Sequence, residues 1–238
     1  MRTAYTVFRN LYNVRKMTMK LVLASGSQRR RELLTMCGYD YEIIVSNADE
    51  TIDENDPESF VRALSFRKAK DVFDRLFAAG RRDFAVIGSD TVVAFQKDGE
   101  TKPVIIGKPK DAEDAVRILS MLSGKTHRVF TGVSVIADIP DENAAAQCSI
   151  REKAEIQTEC SITEVTFETL SPDEITDYVN SGDPLDKAGS YGIQGPFGMF
   201  VREIRGNYFT VIGMPIPVLY KMLKKIGILP HGFYERIE

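Results

Sequence analysis

Residues 21–38, LVLASGSQRRRELLTMCG, join an apolar segment, a turn of small residues and a helical segment in direct succession. The apolar residues 21–25 predict a short buried strand. Ser27 is a suitable N-cap for a helix that continues to about Cys37, and Gly38 is a suitable stop. A strand that runs directly into a helix favours a fold of the α/β class.

The rest of the chain predicts further strands and helices in mixed order. Helices are predicted over 57–79, 111–122, 172–181 and from Pro215 to Ile226. Strands are predicted over 41–45, 84–87, 127–137, 157–169, 200–204 and 208–212, with a bulge between Ile162 and Val165 and a hairpin turn at Asp98-Gly99. Residues 138–156 and 182–199 are predicted loops, and the pair 127–137 and 157–169 predicts an antiparallel part of the sheet.

Length and charge limit the classes of function. The chain has 238 residues, 43% of them apolar, which suits one large domain or two fused lobes. The net charge of −3 and the pI of about 5.6 argue against a nucleic acid partner. No segment approaches the ~20 apolar residues of a membrane span.

Cysteine and histidine usage limits the chemistry. The three cysteines form no Cys-x-x-Cys pair, which favours reduced thiols in a cytoplasmic protein. With only two histidines, a metal would have to be a hard cation held by carboxylates, and His127 is interpreted as structural. Residues 1–20 hold five basic side chains and no acid, so mitochondrial targeting is a weaker alternative to a short basic extension.

The turn at residues 23–31 is the first candidate site. Its backbone N–H groups lie at a helix N-terminus, which favours an anion. The hydroxyls of Ser25 and Ser27 and the charges of Arg29 and Arg30 fit a bound phosphate. The alternative is a basic first turn that faces solvent.

Lys68 and Asp90 are charged residues in apolar surroundings. Lys68 falls on the apolar stripe of the 57–79 helix, so it extends to solvent or meets an anion. Asp90 follows the predicted strand 84–87, and ligands of open α/β sheets bind at such strand ends. An ordinary polar turn would explain Asp90 equally well.

Two further stretches combine glycines with a cation. Lys108 lies in the stiff turn Gly107-Lys108-Pro109, just before a helix. Residues 183–195 are rich in glycine and contain Lys187 and Gln194. Glycines allow a backbone to approach a ligand closely, but they equally mark a flexible surface loop.

Five stretches together resemble the Maf family of nucleoside triphosphate pyrophosphatases. They are LASGSQRRRELL at 23–34, GSDTVV at 88–93, GKP at 107–109, LSGKTHRVFTGV at 122–133 and DKAGSYGIQG at 186–195. The resemblance implies an elongated, two-lobed α/β fold of the ITPase type, with a mixed central sheet flanked by helices and a cleft between the lobes. On this basis we divide the chain into a basic extension (1–18), one catalytic domain (19–228) and a tail (229–238).

The resemblance also implies roles for individual residues. Asp90 and Glu50 would hold a divalent metal cation, Mg²⁺, Mn²⁺ or Co²⁺, and would act in catalysis with Lys68 and Lys108. The substrate-binding residues would be Ser25, Arg29, Arg30, Thr91, Lys187 and Gln194. The chain departs from the family pattern at Gln28, where proline is common, and residues 138–156 are longer than expected.

The implied reaction is hydrolysis of the bond between the α and β phosphates. Members of the family are often dimeric, so the resemblance also implies a homodimer as a candidate assembly. The Gln194 amide pairs a donor with an acceptor, which complements uracil and thymine. A family branch with glutamate at this position is associated with 7-methylguanosine triphosphate. We therefore expect dTTP and UTP as substrates, with CTP or modified pyrimidine nucleotides as further candidates. The alternatives are a nucleotidyl transferase and a weakly catalytic or non-catalytic nucleotide-binding regulator of cell division.

Overall fold

The computed structural model describes residues 19–97, 99–139 and 154–231. Within these ranges a seven-stranded mixed sheet is flanked by six α-helices. The strands are β1 Lys20–Leu23, β2 Tyr41–Ile43, β3 Phe84–Phe95, β4 Val104–Ile106, β5 Thr126–Asp138, β6 Ala154–Phe167 and β7 Val201–Arg205. The helices are α1 Gln28–Met36, α2 Pro57–Ala78, α3 Ala112–Leu122, α4 Pro172–Asn180, α5 Tyr208–Ile212 and α6 Ile216–Lys225.

The sheet order is β2-β1-β3-β5-β6-β7, and β4 also pairs with β3. Strand β1 is parallel to β2 and β3, whereas all other pairings are antiparallel. The predicted antiparallel pair is therefore confirmed as β5 and β6. The N-terminal extension, Asp98 of the predicted hairpin turn and most of the 138–156 loop and of the tail lie outside the described residues.

The apolar core is divided into two lobes along the length of β3. Its residues 84–87 pack with α1, α2 and α6 at one end of the sheet, and residues 92–95 pack with α2, α3 and α4 at the other. The polar segment 88–91 separates these two regions. The expected two-lobed α/β architecture is thus present, and both lobes share the long strands β3 and β5.

The structure departs from the sequence-based description of local structure at four places. Residues 84–95 form one strand, so Asp90 lies within a strand and not at its end, because β5 pairs with β3 along nearly its whole length. Strand β4 was not predicted. The β5–β6 register is regular at Ile162 and Val165, and the irregularity lies at Thr166/Phe167 opposite β7.

The fourth difference concerns residues 208–212, which were predicted as a strand and form helix α5. The segment is rich in β-branched and aromatic residues, which favours strands. The Asn207 side chain accepts a hydrogen bond from the backbone N–H of Phe209 at 2.9 Å and caps the helix. Gly213 ends the helix at φ +108°, so the two flanking residues override the intrinsic preference.

Helix α2 packs unusually close to the sheet because two glycines face it. A Cβ atom on Gly88 would lie 2.1 Å from the carbonyl oxygen of Ser65, and one on Gly132 would lie 2.2 Å from that of Val61. Both distances are far shorter than a permitted contact, so only glycine fits. This close packing fixes the position of Lys68 one turn after Ser65.

Candidate active site

A gap along one edge of β3 lies next to several of the predicted site residues. Strand β1 pairs with β3 up to Ile87, and β4 pairs with the same edge from Val93 onwards. In the part of the chain that the structure describes, no strand pairs with residues 88–92 on this edge. Residues 88–92 therefore border an opening between the lobes, with Asp90 on the sheet face that packs against α2 and Thr91 on the opposite face, next to Arg30.

The ends of β1 and β4 deliver further residues to this gap from opposite sides. Beyond Leu23, the N–H of Ala24 donates to the carbonyl of Ile87 at 2.8 Å, and Ser25 follows directly. Strand β4 ends at Ile106, opposite Val93, and the exposed Lys108 follows two residues later. The topology thus brings Ser25 and Lys108, distant in sequence, to the two ends of one opening.

Lys68 joins two carboxylates at the centre of the site. Its Nζ lies 2.8 Å from Asp90 Oδ1 and 3.0 Å from Glu50 Oε1. The side chains of Lys68 and Asp90 are each 12% exposed, whereas that of Glu50 is 66% exposed. Lys68 therefore meets anions rather than extending to solvent, and its charge compensates the burial of Asp90.

Helix α2 also holds the segment that carries Glu50. Arg67 Nη1 donates to the carbonyl oxygens of Asp49 and Thr51, both at 2.8 Å, and so brackets Glu50 on both sides. One turn later, Asp71 accepts from the N–H of Asn47 at 2.9 Å. The position of Glu50 is thus set by residues next to Lys68.

Arg30 lies inside the site and binds the protein itself. Its guanidinium donates to Gly213 O at 2.8 Å, to Ser25 Oγ at 3.0 Å and to Thr91 Oγ1 at 3.4 Å. Desolvation lowers the pKa of Arg30, while the nearby carboxylate of Asp90 acts in the opposite direction. Arg30 therefore connects the turn after β1 to β3. Ser27 is the N-cap residue of α1, as predicted, but its side chain forms no capping hydrogen bond.

Lys187 is held by two aspartates, one of which also meets Arg29. Its Nζ donates to Asp183 O at 2.6 Å, to Asp183 Oδ1 at 2.9 Å and to Asp186 Oδ1 at 2.8 Å. Asp186 also faces Arg29 Nη1 at 3.4 Å. Burial raises the pKa of both aspartates, but hydrogen bonds and charge from Lys187, together with Tyr178 at Asp183, lower it overall.

The segment after Lys187 closes against the end of β4. The N–H of Gly189 donates to Gly107 O at 3.0 Å, and a Cβ on Gly189 would lie 2.5 Å from Val93 Cγ2. Gln194 is exposed further along, in a region predicted as an irregular loop that contains three short 3₁₀ helices. Lys187 and Lys108 therefore belong to adjacent segments at the β4 end of the gap.

Asp90 and Glu50 provide the oxygen ligands that a hard cation requires. Mg²⁺ is commonly bound through one or two carboxylates, with water and substrate phosphate completing its coordination. Across the described ranges, no group of three or more His, Cys, Asp or Glu side chains could hold a metal ion.

His127 takes no part in this site. It is buried, its Nε2 lies 3.0 Å from the hydroxyl of Tyr191, and burial lowers its pKa to about 3. It packs edge-on against Phe167, so it behaves as an aromatic core residue.

No helix in the described ranges is long and apolar enough to cross a membrane.

The chain is similar in sequence to proteins of one known family. A family model described as Maf-like protein matches residues 20–226. The chain belongs to this family. Three relatives named dTTP/UTP pyrophosphatase come from Agathobacter rectalis (40% identity, 88% of this chain and 98% of the relative), Bacillus thuringiensis subsp. konkukian (42%, 88% and 96%) and Lachnoclostridium phytofermentans (40%, 88% and 96%). The Ham1 protein of Staphylococcus aureus superposes with a TM-score of 0.46 at 15% identity, over 87% of this chain and 99% of that one.

Several residues that shape the site of this Maf-like protein were missed in the sequence. Asp183 and Asp186 hold Lys187, and Arg67 holds the segment of Glu50. Their charges are common on protein surfaces, so only the folded chain reveals their partners. Gly88 and Gly132 did carry a signal, because a glycine inside a strand often marks close approach of another backbone.

Proposed function

We propose that this protein is a nucleoside triphosphate pyrophosphatase that hydrolyses the α–β phosphate bond of dTTP and UTP. The observation that carries the proposal is the Lys68, Asp90 and Glu50 cluster at a gap lined by cationic segments. The names of the relatives, dTTP/UTP pyrophosphatase, support the same reaction. The products are the nucleoside monophosphate and pyrophosphate.

The residues of the cluster suit hydrolysis at phosphorus. A water oxygen forms a bond to phosphorus, the bond from that phosphorus to the bridging oxygen breaks, and pyrophosphate leaves with the electron pair. Asp90 orients the water and accepts its proton. Lys68 holds Asp90 in place at 2.8 Å and neutralises charge that develops on the phosphates.

A divalent cation would be held by Asp90 and Glu50 together with phosphate oxygens. When bound, it supplies charge neutralisation and a more acidic water. Lys108 and Lys187 lie on segments at the β4 end of the gap and bind the departing phosphates, with Arg29 and Ser25 at the β1 end. For Lys187 this requires that a phosphate oxygen replaces at least one of its present acceptors, Asp183 or Asp186.

The choice of a pyrimidine base is assigned to Gln194. Its exposed amide can donate to O4 and accept from N3–H of uracil or thymine. A site that forms both bonds discriminates strongly against a base edge with a different pattern. Homodimer formation and a cytoplasmic location stay predictions from the sequence.

Replacement of Asp90 by asparagine tests the proposed reaction. The amide keeps the size of the side chain but cannot accept the proton of water. We expect kcat for UTP and dTTP with Mg²⁺ to fall by about 10²–10⁴-fold, with nucleotide binding retained. Release of monophosphate and pyrophosphate, measured by chromatography over a panel of nucleoside triphosphates, gives the rates and the products.

Asp138→Asn is the matched control. Asp138 is the last residue of β5. It lies six positions along the strand from Gly132, the residue that pairs with Asp90, and is therefore remote from the proposed site. This control should retain the activity of the wild type. Faster hydrolysis of 7-methyl-GTP than of UTP would refute the base assignment, and products that require a second acceptor would favour a transferase. Equal inactivity of the wild type and Asp90→Asn across the panel would favour a nucleotide-binding regulator.

A further inference from the structure

Tyr178 connects the segments that carry Lys187 and Gln194. Its hydroxyl donates to Asp183 Oδ2 at 2.6 Å and accepts from the N–H of Gly192 at 3.0 Å. We propose that Tyr178 is a positioning residue that fixes the phosphate contact of Lys187 and the base contact of Gln194 relative to each other. This inference rests on the proposed function, which assigns those two contacts.

The connection to Lys187 runs through one carboxylate. Asp183 Oδ2 accepts from Tyr178, while its Oδ1 accepts from Lys187 Nζ at 2.9 Å. A carboxylate that is held at one oxygen cannot rotate freely, so the second oxygen keeps a fixed direction. The hydrogen bond from Tyr178 therefore orients the ammonium group without touching it.

The connection to Gln194 runs through the backbone. The N–H of Gly192 is bound to Tyr178, and the N–H of Gly195 donates to Gly192 O at 3.2 Å. These two bonds anchor and close the turn in which Gln194 lies. A Cβ on Gly192 would lie 2.6 Å from Lys187 Cε and 3.2 Å from Asp183 Oδ2, so this turn packs directly on the lysine.

Tyr178 itself is held rigidly. The residue is buried and its ring lies 4.8 Å from that of Phe197. Its helix, α4, begins with a capping box formed by Ser171 and Glu174. Burial and the bond to Asp183 raise the pKa of Tyr178, so the hydroxyl stays protonated and able to donate near neutral pH.

The chain offers a matched pair of tyrosines for the test. Tyr191 is also buried, packs on the same Phe197 ring at 5.4 Å and uses its hydroxyl on a core residue, His127. Tyr178→Phe and Tyr191→Phe therefore remove the same atom from the same apolar cluster. A purely structural hydroxyl should give the same result in both variants.

We expect Tyr178→Phe to weaken pyrimidine nucleotide binding and base discrimination together. The KM for UTP should rise about 5–10-fold with kcat changed less than about threefold, in keeping with the loss of hydrogen bonds to binding groups. The ratio of the dissociation constants of α,β-methylene-GTP and α,β-methylene-UTP should fall by a similar factor, about 5–10-fold. In Tyr191→Phe both the KM and the ratio of the two dissociation constants should equal those of the wild type.

The binding measurement separates this inference from the proposed reaction, because the methylene analogues require no hydrolysis. An unchanged ratio in Tyr178→Phe, with a wild type that discriminates between the analogues, would overturn the inference alone. Equal changes in the two tyrosine variants would reduce Tyr178 to a structural role and overturn it as well. A wild type that binds both analogues equally would overturn the base assignment and the inference together.

Discussion

At the scale of single residues, the charge of the Lys187 ammonium group is compensated within the chain when no substrate is bound. Its three N–H bonds all have acceptors within the chain, two from Asp183 and one from Asp186. The Lys187 side chain is 13% exposed and that of Asp186 is 68% exposed. Asp186 is therefore the acceptor that a phosphate oxygen can replace most easily.

Substitution of Asp186 by asparagine should strengthen nucleotide binding. The change removes a negative charge that competes with phosphate for Lys187 and Arg29, while it keeps an oxygen acceptor. Because an exposed ion pair contributes about 0.2–1 kcal/mol, we expect the KM for UTP to fall about 1.5–5-fold. Steady-state kinetics at low salt measures the effect, and added salt should reduce it.

Asp40→Asn is the control for net charge. Asp40 is exposed and lies just before β2. The parallel strands β1 and β2 begin at this end, whereas Ser25 follows the other end of β1. Its replacement should leave the KM unchanged. A rise in KM on substitution of Asp186 would instead mean that this carboxylate contributes a contact to the substrate or its metal.

At the scale of elements, the position of α2 depends on the two glycines that it faces. Gly88→Ala would place a Cβ 2.1 Å from a backbone oxygen of the helix, which must then move. We expect a loss of unfolding free energy of about 1–3 kcal/mol, as for other overpacked sites. Since Lys68 lies on the same helix, its bond to Asp90 should lengthen and kcat should fall.

Chemical denaturation and kcat of Gly88→Ala test this coupling between packing and catalysis. Gly107→Ala is a suitable control for stability, because a Cβ on Gly107 meets no atom within 4 Å. A Gly88→Ala protein with the stability and kcat of the wild type would show that α2 can shift without effect on Lys68.

At the scale of the whole molecule, the two lobes should unfold together. Strands β3 and β5 run through both of them, so neither core can lose its strands without exposing the other. Leu219 and Leu119 are fully buried in opposite lobes. Each change to alanine should lower the free energy of one common unfolding transition by about 2–5 kcal/mol. Calorimetry with two separate transitions, each sensitive to one variant, would contradict this expectation.

The sequence by itself determined the α/β class, the family and the types of residue at the site. Apolar periodicity identified α2 and α6 closely, because these helices bury one face and carry terminal signals such as Pro57 and Pro215. Lys68 and Asp90 stood out because a charge in apolar surroundings requires a partner. These features depend on neighbours within a few positions, which a sequence displays directly.

Only the tertiary structure decided how these residues meet. The gap at residues 88–92 exists because β1 and β4 pair with the same edge of β3 and both end beside it. The same pairing made Asp90 part of a continuous strand. Strand pairing and ion pairs such as Lys187 with Asp183 satisfy polar groups across space, so local pattern cannot specify them.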